Sequence, residues 1–254
     1  MGQAIARSHR SARELRGRLD RKVKTAAAAR VRRYARDVAL PEVAPKYSAD
    51  AVLIKKPASR SFKTSEKIIA IGASTGGTQA IKEILAAMPA DAPAIVVTQH
   101  IPEAFSGPFA QRMNRISTMT VLEAEDGQRI VPGHAYIAPG SRHLLVQRDG
   151  ARYVCRLHDG PAVNRHRPSV DVLFRSVAQN VGANAVGVIL TGMGMDGALG
   201  LKELRENGAP TIAQDENTSV VWGMPGEAVK LGGVDHILPL QHIGAETLRL
   251  VKQL

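Results

Sequence analysis

The chain has 254 residues, 44% hydrophobic, 22% charged and 4% aromatic, which at about 100–200 residues per domain allows one large domain with or without an appendage. No run reaches the roughly 18 uncharged apolar residues of a membrane helix, and no signal peptide follows Met1. The single Cys155 excludes an internal disulfide framework and a multi-cysteine metal site, so a reducing, cytoplasmic setting is expected.

The net charge of +11 points to nucleic acid only until it is mapped. Residues 1–66 hold 17 Lys/Arg against 6 Asp/Glu, whereas residues 67–254 hold 17 of each sign. The body is therefore neutral, and no nucleic-acid partner is expected. From Ser11 to Leu40, Leu15, Leu19, Val23, Ala27, Val31, Tyr34 and Val38 recur every three or four positions. That spacing predicts a basic helical segment over 1–40, read as a solvated connector or as a surface for membrane or nucleic acid. Residues 41–66, with Pro41, Pro45 and Pro57, read as a linker, and 67–254 as the catalytic body.

In the body, Ile68–Ile71 predicts a strand, followed by a Gly-rich turn and a helix through Ile81, Ile84, Leu85 and Met88. A second strand, Ala94–Thr98, leads to Gln99 and His100, and Phe105–Ile116 reads as a helix. Val121–Val146 carries short strand-like pieces broken by Gly127, Pro132-Gly133 and Pro139-Gly140, which predicts hairpins or an edge excursion. Then come a helix over Ser169–Val181, a buried strand Val186–Leu190, a helix Ala198–Glu206 and a strand Thr211–Ala213. Helices over Pro225–Lys230 and Ile243–Gln253 flank a last strand, His236–Leu238. Such alternation predicts an α/β fold: doubly wound, Rossmann-like, with a mostly parallel sheet, helices on both faces and a small antiparallel hairpin excursion.

In an open parallel sheet, ligands bind outside the carboxyl ends of the strands. Three of these ends carry unusual residues. Gly72-Ala73-Ser74-Thr75-Gly76 fits the G-x-S-x-G nucleophile elbow between a strand and a helix. The same turn is one substitution from a dinucleotide-binding G-x-G-x-x-G, so this loop alone leaves a serine hydrolase and a nucleotide binder open. His100, after the neighbouring strand, belongs beside Ser74 and is the candidate general base, or else an ordinary polar strand end. Asp196, in Leu190-Thr191-Gly192-Met193-Gly194-Met195-Asp196-Gly197, is either the N-cap of the following helix or the partner that fixes the imidazole. Backbone N–H groups around Met193 and Gly194 are candidates for an oxyanion hole.

Asn164-Arg165-His166-Arg167-Pro168-Ser169 is a dense polar cluster, read either as a substrate-facing lip through Arg165, His166 and Arg167 or as capping by Ser169. No histidine pair has ligand spacing, so neither a metal nor a cofactor is expected. Trp222 lines the site or plugs the core, and Cys155 is read as inert.

Taken together, Ile68–Gly77, Gln99-His100, Arg165–Asp171 and Leu190–Gly197 resemble the catalytic domain of the chemotaxis protein-glutamate methylesterases (CheB) over about residues 66–250. The order Ser74, His100, Asp196 matches that family and not the Ser, Asp, His order of α/β-hydrolases. The resemblance implies hydrolysis of glutamate methyl esters, and deamidation of glutamines, on the cytoplasmic helices of methyl-accepting chemoreceptors. It further implies Ser74 as nucleophile, His100 as base and acid, Asp196 as its orienting partner, the Met193 backbone in the oxyanion hole and Thr75 close by. The family's phosphorylatable receiver domain has no counterpart in residues 1–66, which are too short and too basic, so the sequence is read either as a naturally receiverless enzyme or as a piece of a longer one; without a receiver, an esterase open without a phosphorylation switch is expected. A nucleotide-binding protein and a receptor-binding pseudoenzyme are the alternatives.

Overall fold

In the computed structural model, which describes residues 17–29, 46–56 and 66–254, strand β1 (Ile68–Ala73) is buried along its whole length. Successive side chains of a strand point to opposite faces, and β1 uses both. Ile69, Ile71 and Ala73 join one apolar core with Ile81, Leu85, Met113 and Ile243, while Ile68 and Ala70 join another with Leu173, Phe174, Leu201 and Met224. A strand that is apolar at every position is the signature of a parallel sheet covered on both sides.

The covering helices are α2 (Gly77–Ala87), α3 (Glu103–Ile116) and α7 (Leu240–Gln253) on one face, and α4 (Val170–Asn180), α5 (Ala198–Glu206) and α6 (Gly223–Lys230) on the other. The remaining strands are β2 (Ala94–Gln99), β3 (Thr120–Glu123), β4 (Arg129–Ile130), β5 (His134–Ile137), β6 (His143–Asp149), β7 (Arg152–His158), β8 (Ala185–Ile189), β9 (Thr211–Gln214) and β10 (His236–Leu238). Six of them join β1 in a seven-stranded sheet of order β10-β9-β8-β1-β2-β5-β3, with every pairing parallel. The fold is the doubly wound α/β architecture that the alternation of elements predicts. The chain runs outward from β1 in one direction and later returns to its other side through β8, so the switch point lies between β1 and β8.

The Val121–Val146 stretch divides between two sheets. β3 and β5 extend the main sheet in parallel, while β4 and β6 pair with β7 in a three-stranded antiparallel sheet. Short strands separated by glycine and proline show where the chain turns, not which sheet each piece joins.

The chain divides into Met1–Ala44 and Pro45–Leu254. In the first unit, residues 17–28 form helix α1, whose Leu19 and Val23 are exposed; the rest of the helix expected over Ser11–Leu40 lies outside the described residues. In the second, residues 46–56 fall within the stretch read as a linker, yet they are fastened to the body. Asp50 pairs with Arg175 at 2.8 Å, the Leu53 carbonyl accepts from the same guanidinium, and the Ile54 carbonyl accepts from Gln179. These contacts use one carboxylate and backbone carbonyls, which hydropathy patterning does not register. Among the described residues no helix is long and apolar enough to cross a membrane.

Candidate active site

Register places the first two residues. Ala73 at the end of β1 pairs with Gln99 at the end of β2, and the His100 N–H donates to the Ala73 carbonyl at 3.1 Å. Ser74 and His100 are thus the next residues on strands spaced ~4.8 Å apart. On the other flank, the Ser74 N–H donates to the Thr191 carbonyl at 3.0 Å. A Cβ on Gly192 would stand 2.8 Å from that of Ser74 and 2.2 Å from the Met224 sulfur, so only glycine lets the β8 loop lie this close to the serine. The three loops meet at the switch point, where open α/β sheets bind ligands.

His100 Nε2 lies 2.8 Å from Asp196 Oδ2. Burial pushes the Asp196 carboxyl up, but hydrogen bonds from His100, Asn164 and the Val170 N–H outweigh it and hold the group below the usual carboxylate value. An ionised carboxylate only accepts, so Nε2 carries the proton. The lone pair is then on Nδ1, which is buried and has no hydrogen-bond partner among the described residues. A nitrogen in that state, on the side of the ring opposite the carboxylate, can accept a proton from a serine hydroxyl brought to it.

The reading of Asp196 as cap of its own helix is corrected by the backbone. The cap of α5 is Gly197, left-handed at φ 92° and without a side-chain bond. Asp196 instead caps α4: it accepts from the Val170 N–H at 2.7 Å, the Asp171 N–H at 3.4 Å and the Ser169 hydroxyl at 2.8 Å. The two N–H groups are orphan donors at a positive helix terminus, which stabilise a buried negative charge. The exchange is mutual, because Asp171 in the first turn of α4 accepts from the Gly200 N–H of α5 at 2.7 Å. Burial, and then the Asp196 charge, push Asp171 up to about 7. Asn164 Nδ2 donates to both carboxyls, at 2.7 Å to Asp171 and 2.9 Å to Asp196.

The Thr75 and Met193 N–H groups donate to no described residue; Thr75 follows Ser74 in the elbow, and Met193 follows Gly192, which packs against Ser74. The three residues read as a substrate-facing lip separate. Arg165 is exposed; Arg167 donates to the carbonyls of Asp159 and Gly160 at 3.1 Å; His166 stacks on His100 with centroids 3.7 Å apart and planes at 7°. Burial, then His100, lower the His166 pKa, so it stacks as a neutral imidazole. Trp222 donates to the Gln214 carbonyl at 2.9 Å. Burial raises the Cys155 thiol to about 12, far from a nucleophile's range.

The capping read for Ser169 holds, its hydroxyl accepting from the Val172 N–H, but sequence reasoning gave no role to Gln99, Thr191 or Asn164. Gln99 Nε2 donates to the Ser74 carbonyl at 2.9 Å and the His100 carbonyl at 3.1 Å, clamping the Ser74 and His100 loops together. The Thr191 hydroxyl donates to the Thr75 carbonyl at 2.9 Å, tying the elbow to the third loop. The available signal was a polar side chain at the end of an otherwise apolar strand, where a buried amide or hydroxyl has to find a partner.

Residues 69–247 match the family described as CheB methylesterase. This chain belongs to that family. It is 62% identical over 212 residues to a protein-glutamate methylesterase/protein-glutamine glutaminase of Hydrogenovibrio crunogenus, covering 84% of this chain and 56% of the relative. A protein of Xanthomonas oryzae pv. oryzae, named protein-glutamate methylesterase/protein-glutamine glutaminase 2, is 55% identical over 233 residues, which cover 91% of this chain and 64% of the relative. The chain therefore spans between about half and two thirds of the length of these relatives. The crystal structure of the Thermotoga maritima CheB methylesterase catalytic domain superposes with a TM-score of 0.71 at 37% identity, over 75% of this chain and all of that one.

Proposed function

We propose that this chain is a serine esterase that hydrolyses glutamate methyl esters, and deamidates glutamines, on the cytoplasmic helices of chemotaxis receptors. The relatives' names supply the reaction class. The observation that carries the reading is the 2.8 Å contact between His100 Nε2 and Asp196, with Nδ1 left free of any described partner at the strand end beside Ser74.

The chemistry follows from that arrangement. His100 Nδ1 takes the Ser74 proton as the hydroxyl oxygen attacks the ester carbonyl carbon, and Asp196 stabilises the imidazolium that forms. The carbonyl oxygen becomes an oxyanion facing the Thr75 and Met193 N–H groups. His100 returns the proton to the departing methoxide, methanol leaves, and a glutamyl ester of Ser74 remains. Water, deprotonated by the same nitrogen, attacks this ester and releases the glutamate carboxylate and the serine. A glutamine side chain follows the same course with ammonia as the leaving group.

The deciding experiment follows methanol release from methylated receptor membranes. Ser74→Ala removes the attacking oxygen, and release falls by about 10⁴-fold or more while the melting temperature stays within a few degrees. Retention of wild-type release by Ser74→Ala or by His100→Ala overturns the assignment, as does a wild-type chain that releases no methanol.

A further inference from the structure

Two carboxyl groups, each almost wholly buried, face one side-chain amide next to the reactive imidazole. Asp196 is 1% exposed and Asp171 2%. Their oxygens lie 2.9 and 2.7 Å from the same nitrogen, Asn164 Nδ2, whose two hydrogens serve one carboxyl each. Like charges this close cannot both persist in a dry environment, and one proton goes to the pair. Function depends on which carboxyl takes it: His100 needs an ionised acceptor, and only Asp196 touches His100.

The protein gives Asn164 an unusual backbone to reach this position. Asn164 and Arg165 have φ of 50° and 70°, and Val163 and His166 exchange backbone hydrogen bonds of 3.0 and 2.8 Å across them. Two consecutive positive φ values closed by such a pair are the pattern of a type I′ turn, which Asn accepts readily at its first position and Arg does not at its second. The Asn164 N–H is held by the Tyr47 carbonyl at 3.0 Å. The turn sends Asn164 inward to the carboxyls, leaves Arg165 exposed and delivers His166 onto the His100 ring. A strained turn that aims one amide at two carboxyls is a built feature.

We propose that Asn164 is a positioning residue of this hydrolytic site: its amide stands between two buried carboxyls and keeps them from sharing a proton directly, so that the negative charge stays on the one that faces His100. The remaining donors make that choice. Asp196 also receives the Ser169 hydroxyl and two α4 N–H groups, whereas Asp171 receives α5 backbone N–H groups alone. Besides Asp171, the titratable groups facing Asp196 are His100, His166 and His143, whose Nδ1 accepts from the Ser169 N–H. Asn164 touches neither Ser74 nor the oxyanion donors and acts through Asp196. The inference rests on the esterase reading for its kinetics but not for its spectroscopy.

The test uses the full chain carrying Asn164→Gly, because glycine keeps the positive φ and removes only the amide. On methylated receptor membranes at neutral pH, kcat falls about tenfold with KM unchanged, and the deficit shrinks as the pH is raised and the pair loses its shared proton. The downfield proton resonance of the His100 Nε2–H, a marker of its bond to an ionised carboxylate, moves upfield or vanishes; this readout does not depend on turnover. Adding Asp171→Asn to Asn164→Gly supplies a new amide opposite Asp196 and leaves no second acid, so both kcat and the resonance return. A wild-type kcat, pH profile and resonance in Asn164→Gly overturn the proposal, as does a double variant no better than the single. If the wild-type chain releases no methanol, the esterase reading fails, and the resonance in Asn164→Gly alone decides the role of Asn164.

Discussion

Two helix N-termini point at the same rim of the sheet and are treated in opposite ways. α2 follows Ser74 through Gly76 and Gly77 and has no side-chain cap, so its positive end is left to whatever approaches the serine. α4 is capped twice, by Ser169 through the Val172 N–H and by Asp196 through Val170 and Asp171. The difference separates a transient charge from a permanent one. An oxyanion exists only during the reaction, and its donors have to be unoccupied beforehand. The imidazolium's counter-charge has to be present at all times, so a helix terminus, a hydroxyl and an amide are spent on holding it in a buried place where an unsupported carboxylate would take up a proton.

The sharpest way to break this contrast is Asp196→Asn. The substitution keeps the shape but turns an NH₂ toward donors at α4 or His100 that need an acceptor, and it removes the charge that fixes the imidazole tautomer. kcat falls by about 10³–10⁴-fold, as in triads generally, with KM little changed. A loss of tenfold or less in receptor demethylation would mean that His100 works without its carboxylate, and the permanent cap would then be structural.

Much of this was legible in the residues. The all-apolar β1 and β2, the glycine turn and the polar residues at three strand ends lead to a doubly wound sheet and bring Ser74, His100 and Asp196 to one edge. Patterning could not show that Asp196 caps the helix beginning at Val170, 26 residues upstream, because caps are recognised in sequence by adjacency and this one forms across space. It was equally silent on Asn164. A two-residue turn written Asn-Arg lacks the glycine that usually marks positive φ, and only the folded loop shows where the amide points. Gln99 lay in view beside His100, but its task, joining two backbones, leaves no periodic trace.

The α4–α5 exchange makes its own prediction, smaller than the loss in Asp196→Asn. Burial raises the Asp171 pKa from 3.8 to about 7, so the folded chain holds a proton that the unfolded chain releases. Stability from this group is whole below about pH 4 and is lost as the pH rises through about 7, by up to about 4 kcal/mol in all. Asp171→Asn abolishes that dependence. At pH 4 the variant melts below the wild type, because its new amide confronts the Asn164 amide, and the gap narrows steadily toward pH 8. Calorimetry at four or five pH values measures it; a gap constant with pH would mean that Asp171 gains no proton on folding.

The smallest effect separates the His100 relay from the ring lying over it. His166 stacks as a neutral imidazole, since burial and the neighbouring His100 both disfavour its charge. Its contribution is then that of an aromatic face, and such pairs are worth about 0.5–1.5 kcal/mol. His166→Ala therefore lowers kcat/KM by about tenfold at most, through a His100 ring less firmly held, while His166→Phe restores the face and recovers most of the rate. Equal losses in the two variants would assign His166 a polar task that phenylalanine cannot perform, and the uncharged stack would no longer account for its place above the base.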